Sequence, residues 1–124
     1  MAFSIRVCSE VEAIEMLQDP SVSKLLSVKA EKLNKEFWPM MMGEKLLVLA
    51  KPDGGNVEVH VACKFRDRAF IRETMQEGIK WLQSRGFTTI WTTAPDSRKG
   101  LVKMLESLGF HKNSETGTWE LKQR

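Results

Sequence analysis

Tyrosine is absent from this chain, and cysteine and histidine are nearly so, with two of each in 124 residues. The missing phenol removes one common proton donor from any catalytic reading. Cys8 and Cys63 do not make a disulfide framework, because each stands in an apolar, strand-like run where cysteine acts as a small buried hydrophobe. Adding His60 and His111 gives no zinc-ligand spacing, so no metal centre is expected. No apolar run approaches the roughly 20 residues that a membrane-spanning helix requires. The N-terminus, Met-Ala-Phe-Ser-Ile-Arg-Val, turns polar too early for a signal peptide, and a cytoplasmic protein is the expectation.

A dominant charge is also missing. Nineteen basic residues face sixteen acidic ones, and the net charge of +3 is spread along the chain rather than gathered in a block. Nucleic-acid binding calls for a clustered basic face with a readable motif, and none is found, so a nucleic-acid partner is not expected. An anionic small-molecule ligand explains the surplus at least as well. The length suits one domain over residues 1–124, with a hydrophobic share of 42% and a charged share of 28%, both ordinary for a globular protein.

Apolar–polar alternation predicts a strand over Phe3–Cys8, and Ser9 with Glu12 forms a capping box for a helix whose face is Val11, Ile14 and Leu17. That helix stops at Asp19-Pro20, and a second is predicted from Ser21 or Ser23 to Phe37, buried along Val22, Leu26, Ala30, Leu33 and Phe37. Trp38-Pro39-Met40-Met41-Met42-Gly43 is read as packing plus a loop, with a substrate groove as the alternative. Lys45–Lys51 and Val57–Lys64 flank the turn signal Pro52-Asp53-Gly54-Gly55-Asn56, which makes a hairpin. A helix with Ile71, Met75, Ile79 and Leu82, a strand over Thr88–Thr93, a helix capped by Asp96 or Ser97, and a strand over Thr118–Leu121 complete the order. Both later helices end in Leu-x-Ser-x-Gly-Phe, at Gly86 and Gly109, a C-terminal stop in which glycine takes the left-handed conformation. The fold class is therefore α/β (α+β), a central mixed, mostly antiparallel β-sheet flanked by helices.

The chemistry-bearing stretch is Val57 to Phe110. In its first strand Val57, Val59, Val61 and Cys63 point one way, and Glu58, His60 and Ala62 the other. A carboxylate and an imidazole two residues apart on one face are candidates for a general base, with His60 favoured for its unperturbed pKa of about 6.5. A solvated or helix-covered sheet face is the competing reading. The loop that follows, Phe65-Arg-Asp-Arg-Ala-Phe70, runs from a strand into a helix and can offer free backbone N–H groups and two guanidinium groups to a phosphate.

These residues, with the closing Leu108-Gly109-Phe110, resemble the GCN5-related N-acetyltransferase (GNAT) superfamily, and within it the short, divergent members encoded by phages. The resemblance implies a splayed central strand that receives the pantetheine arm of acetyl-CoA on the backbone of Val61, Ala62 and Cys63. It implies a pyrophosphate site along Arg66, Asp67, Arg68, Ala69, Phe70 and Ile71, and a contact from Arg98, with Lys99, to the nucleotide's 3′-phosphate. Two departures stand out. Ile71 replaces the second small residue of the family's loop, and the position of its catalytic tyrosine falls on Leu105, leaving Ser97 or a water as the acid.

The activity implied is transfer of an acetyl group from acetyl-CoA, as co-substrate, to an amine of unknown acceptor, with Glu58 and His60 as catalytic residues. The alternative is a catalytically degenerate module on the same fold, phage-encoded and residing in the host cytoplasm, that binds a host or virion protein. Phe70, Trp81 and the Met40–Met42 run are candidates for a homodimer contact. A third reading, base stacking on Trp38, Trp81, Trp91 and Trp119, is disfavoured because Trp81 and Trp91 fall in regular elements.

Overall fold

A computed structural model describes residues 5–7, 9–18, 37–42, 46–62, 71–94 and 96–122. Its elements are β1 (Ile5–Val7), α1 (Glu10–Gln18), β2 (Trp38–Met42), β3 (Leu46–Asp53), β4 (Asn56–Ala62), α2 (Ile71–Ser84), β5 (Thr89–Thr92), α3 (Lys99–Ser107), β6 (His111–Lys112) and β7 (Trp119–Lys122). The strands form one sheet in the order β1-β2-β3-β4-β5-β7-β6. Every neighbouring pair is antiparallel except β4 with β5. A parallel neighbour needs a crossover, and α2 provides it.

The β3–β4 hairpin turns on Gly54-Gly55, with Asp53 paired to Asn56 and Gly54 at φ +62°. The turn is tighter than its sequence signal suggests, because Pro52, Asp53 and Asn56 are absorbed into the strands. A two-residue turn of this kind demands left-handed backbone, which glycine adopts without a Cβ penalty.

Alternation then sorts the side chains into two layers. Val57 and Val59 join Leu46, Val48, Ala50, Ile90 and Trp119 in a core with Leu82 of α2 and Leu105 of α3. Leu47, Leu49, Met41 and Ala62 form a second cluster with Phe37 and with Ala13, Met16 and Leu17 of α1. The helices thus sit on opposite faces of the sheet, α1 on one and α2 with α3 on the other.

The Ser9–Glu12 capping box forms as expected: the Ser9 N–H donates to Glu12 Oε1 at 3.3 Å, and the Glu12 N–H to Ser9 Oγ at 3.2 Å. The buried face of α1 is rotated from the expected one, however. Ala13, Met16 and Leu17 are buried and Val11 is 64% exposed. Both glycine stops are as read from the sequence. Gly86 and Gly109 have φ +95° and +96°, and Phe87 and Phe110 donate back to Leu82 and Leu105 at 3.4 and 3.0 Å.

Three expectations change. Residues 38–42 are a strand, β2, and Met41 and Met42 are buried at its C-terminal end, so they offer no surface to a dimer partner. Pro39 pairs with Leu49 of β3, and among the described residues β1 pairs with Met40–Met42 and not with Pro39, so the proline has a registered partner on one side alone. The predicted helix ending at Phe37 lies outside the described residues, except that Phe37 itself is a buried bend before β2. Finally, neither Asp96 nor Ser97 caps α3. The helix starts after Arg98 with no side-chain cap, while Asp96 accepts a bond from Lys112 Nζ at 3.0 Å.

Gly78 sets how closely α2 can approach the sheet, because a Cβ built there would lie 2.5 Å from Met42 Sδ, and Met42 is 1% exposed. Gly100, in α3, faces open space. Chemical denaturation should therefore separate the two: Gly78→Leu is expected to lower stability by about 1–3 kcal/mol through overpacking. Gly100→Ala is expected to raise it by about 0.5–1 kcal/mol through helix propensity.

Candidate active site

Alternation along β4 puts Glu58 and His60 on one face, and the packing of the hairpin decides which side of the sheet that face is. Val57 and Val59 point toward α2 and α3, so Glu58 and His60 point toward α1. The two meet: His60 Nε2 lies 2.7 Å from Glu58 Oε2, with the imidazole 6% exposed and the carboxylate side chain 19% exposed. A bond this short between a carboxylate and an imidazole is charge-assisted and geometrically specific. Leu49 stands directly opposite His60 on β3, and Lys51 stands opposite Glu58. The ring of Phe37 closes on His60 at a centroid distance of 5.3 Å and 71° between planes, and Lys51 Nζ lies 5.9 Å from the Phe37 ring centroid.

Sequence reasoning singled out Glu58 and His60 but missed Phe37 and Lys51. Lys51 could have been found: a turn at Gly54-Gly55 fixes its pairing with Glu58. Phe37 could not, because its approach depends on β2, which the methionines and Pro39 disguised.

The parallel register of β4 and β5 runs from Asn56↔Thr89 through Val57↔Ile90 to Glu58↔Trp91. Beyond Glu58, β4 continues to Ala62 still paired with β3 but without a registered partner on β5 among the described residues. Two parallel strands that share a start and then part leave an opening at their C-terminal ends, where α/β folds place ligands. The Glu58–His60 pair stands where they part. Across the sheet from it, the same face carries Trp91, Glu120 and His111 in one row, the first two half-buried and the last exposed.

No family model and no curated protein matches the sequence. Solved structures do match by shape. An Escherichia coli ribosomal-protein alanine N-acetyltransferase superposes with a TM-score of 0.74 at 13% identity, covering 98% of this chain and 94% of the other. A domain from Methanocaldococcus jannaschii gives 0.72 at 16% identity, over 98% and 99% of the two chains. A Salmonella typhimurium protein solved with its cofactor acetyl-CoA gives 0.63 at 11% identity, over 98% and 94%. The fold is that of the GCN5-related N-acetyltransferases.

Within the GNAT fold the other expected site residues are placed as follows. Val61 is half-buried against the α2 and α3 core, and Ala62 is buried in the α1 cluster. Ile71 opens α2 with its side chain packed on the core, so its bulk turns away from the helix terminus. Arg98 immediately precedes α3, and its carbonyl accepts from the Val102 N–H at 3.1 Å. Cys63, Arg66, Asp67, Arg68, Ala69 and Phe70 lie outside the described residues.

An open groove of about 500 Å³ lies elsewhere, between β1 and α2, lined by Ile5, Glu77, Lys80, Trp81 and Ser84. It is on the face opposite Glu58 and His60, so its size does not make it the reaction site. Among the described residues no group of three His, Cys, Asp or Glu side chains is placed to hold a metal, and no helix is long and apolar enough to cross a membrane.

The buried imidazole depends on its carboxylate partner. Glu58→Ala should leave His60 Nε2 without that partner at low exposure and lower unfolding stability by about 1–3 kcal/mol. Urea denaturation checks this, and an unchanged midpoint would mean that the imidazole finds another partner.

Proposed function

We propose that this chain is an acyl-CoA-dependent N-acetyltransferase in which Glu58 and His60 remove a proton from the acceptor amine. One observation carries the reading: the carboxylate–imidazole pair stands at the point where β4 and β5 part. The names of the structural neighbours support it, since one is an alanine N-acetyltransferase and another is a protein solved with acetyl-CoA.

The residues present fit such a co-substrate in two respects. β4 extends past its last β5 pairing from Val59 to Ala62, and among the described residues its backbone on that side has no registered strand partner, which suits an extended arm laid down in the manner of a strand. The side chain of Ile71 packs into the core, which leaves the backbone at the start of α2 to face an anion. In this reading Arg66, Arg68 and Arg98 add cationic contacts to phosphate groups, and Asp67, Ala69 and Phe70 contribute backbone. Acetyl-CoA would supply the activated acyl group, and the chain would supply position and a proton acceptor.

An amine must be unprotonated to attack a carbonyl, and a base held beside it contributes about 10²–10⁴-fold. Glu58 is the more exposed member of the pair and so the one an incoming amine reaches. His60 lies behind it, hydrogen-bonded through Nε2, and lets the proton be shared rather than held by the carboxylate alone. The half-exposed row of Trp91, Glu120 and His111 extends from Glu58 over the part of the sheet where an acceptor would lie.

Two measurements test the proposal. Acetyl-CoA at about a hundredfold excess over its Kd should raise stability by on the order of 2–3 kcal/mol in a thermal melt. No shift at millimolar acetyl-CoA would sink the enzyme reading and leave a binding module on an acetyltransferase fold. Separately, Glu58→Gln should reduce release of free thiol from acetyl-CoA in the presence of an amine by about 10²–10⁴-fold. Full turnover in that variant would take the pair out of the chemistry.

A further inference from the structure

We infer that Phe37 is a positioning residue for the Glu58–His60 pair, holding the imidazole in the plane that aims Nε2 at the carboxylate. The inference rests on the proposed role of that pair, but its geometry stands independently. Phe37 is 5% exposed and enters from the start of β2, two strands away from β4. It belongs to the buried cluster that Ala13, Met16 and Leu17 of α1 form with Met41 and Leu49 of the sheet.

A single hydrogen bond fixes one ring nitrogen of a histidine but leaves the ring free to rock about the bond axis. The Phe37 ring, at 5.3 Å and 71° to the imidazole, supplies the second restraint. An aromatic pair prefers such an edge-to-face arrangement because the positive rim of one ring meets the negative face of the other. A leucine could fill similar space, but it has no face or rim with which to orient the imidazole.

Lys51 completes the arrangement. Its ammonium lies 5.9 Å from the Phe37 ring centroid, near the outer limit for a cation–π contact, and its backbone position is directly opposite Glu58. Lysine, phenylalanine, histidine and glutamate thus follow one another in a chain of contacts that starts on β3 and ends on β4. Within it the 2.7 Å hydrogen bond is the strong link, and the ring sets its direction.

The test compares Phe37→Leu with Phe37→Tyr, which keeps the ring, each first shown to be folded by circular dichroism. Proton NMR would follow the downfield resonance of the hydrogen-bonded imidazole N–H, assigned by its loss in His60→Gln. The expected result is a protected signal in the native chain and in the tyrosine variant, and a lost or broadened one in the leucine variant. Acetyl transfer by the leucine variant should fall about 10–100-fold in kcat, with KM for acetyl-CoA unchanged and recovery in the tyrosine variant. A leucine variant that keeps both the resonance and kcat would overturn the inference. If leucine does not fold, Phe37→Met carries the same comparison. If the native chain acetylates no amine, the enzymatic proposal fails, and the resonance alone decides the role of Phe37.

Discussion

The Gly54-Gly55 turn pairs Asp53 with Asn56, and that pairing sets the register of the whole β3–β4 ribbon out to Leu47 and Ala62. In a strand the side-chain period is two, so a slip of one residue would exchange the faces. Val57 and Val59 would then turn toward α1, and the Glu58–His60 pair would be driven into the core beneath α2 and α3. A slip is opposed by both layers at once, because each face of the hairpin is filled by apolar partners. The side on which the Glu58–His60 pair stands is therefore set by packing, because two hydrophobic clusters hold the strand in this register.

The same register explains why the sheet opens where it does. β4 is anchored along its full length by β3 but shares only three pairs with β5. β5 in turn is committed to β7 over all four of its residues, Thr89 to Thr92. Two parallel strands tied to different antiparallel partners, and each following its own right-handed twist, separate as they extend. The crossover helix between them is drawn down onto the sheet at Gly78, over Met42. On the opposite face, beyond β4, the row is Trp91, Glu120 and His111.

Much of this was legible in the sequence, and the exceptions have identifiable causes. Short-range signals were reliable: the capping box at Ser9, the glycine stops at Gly86 and Gly109, and the Gly54-Gly55 turn all act through hydrogen bonds within a few residues. The valine alternation of β4 correctly separated the two faces and so picked out Glu58 with His60. Signals that depend on distant partners were lost. β2 was hidden because methionine carries little strand preference and Pro39 reads as a breaker, though it pairs with Leu49 of β3. β6, at two residues, exists only as a partner of β7. Asp96 was read as a cap because Lys112, sixteen residues away, could not be known to claim it. The contacts from Lys51 through Phe37 to His60 and Glu58 join β3, the residue before β2, and β4, and only the pair within one strand was visible.

His60 is the residue that packing alone does not explain. It lies opposite Leu49, in line with Ala62 and against Phe37, at 6% exposure, and a leucine or methionine there would fill the same space without the desolvation cost of a polar ring. Buried polar pairs are poor sources of stability, and replacing them with apolar side chains is often neutral or favourable. A fold that nonetheless keeps an imidazole there, bonds it to a carboxylate and braces it with an aromatic ring has departed from the cheapest core at one place. Such departures concentrate at functional sites. The chain has no tyrosine, and the imidazole and carboxylate it does pair are gathered on the sheet, where the registered pairing of β4 with β5 ends among the described residues.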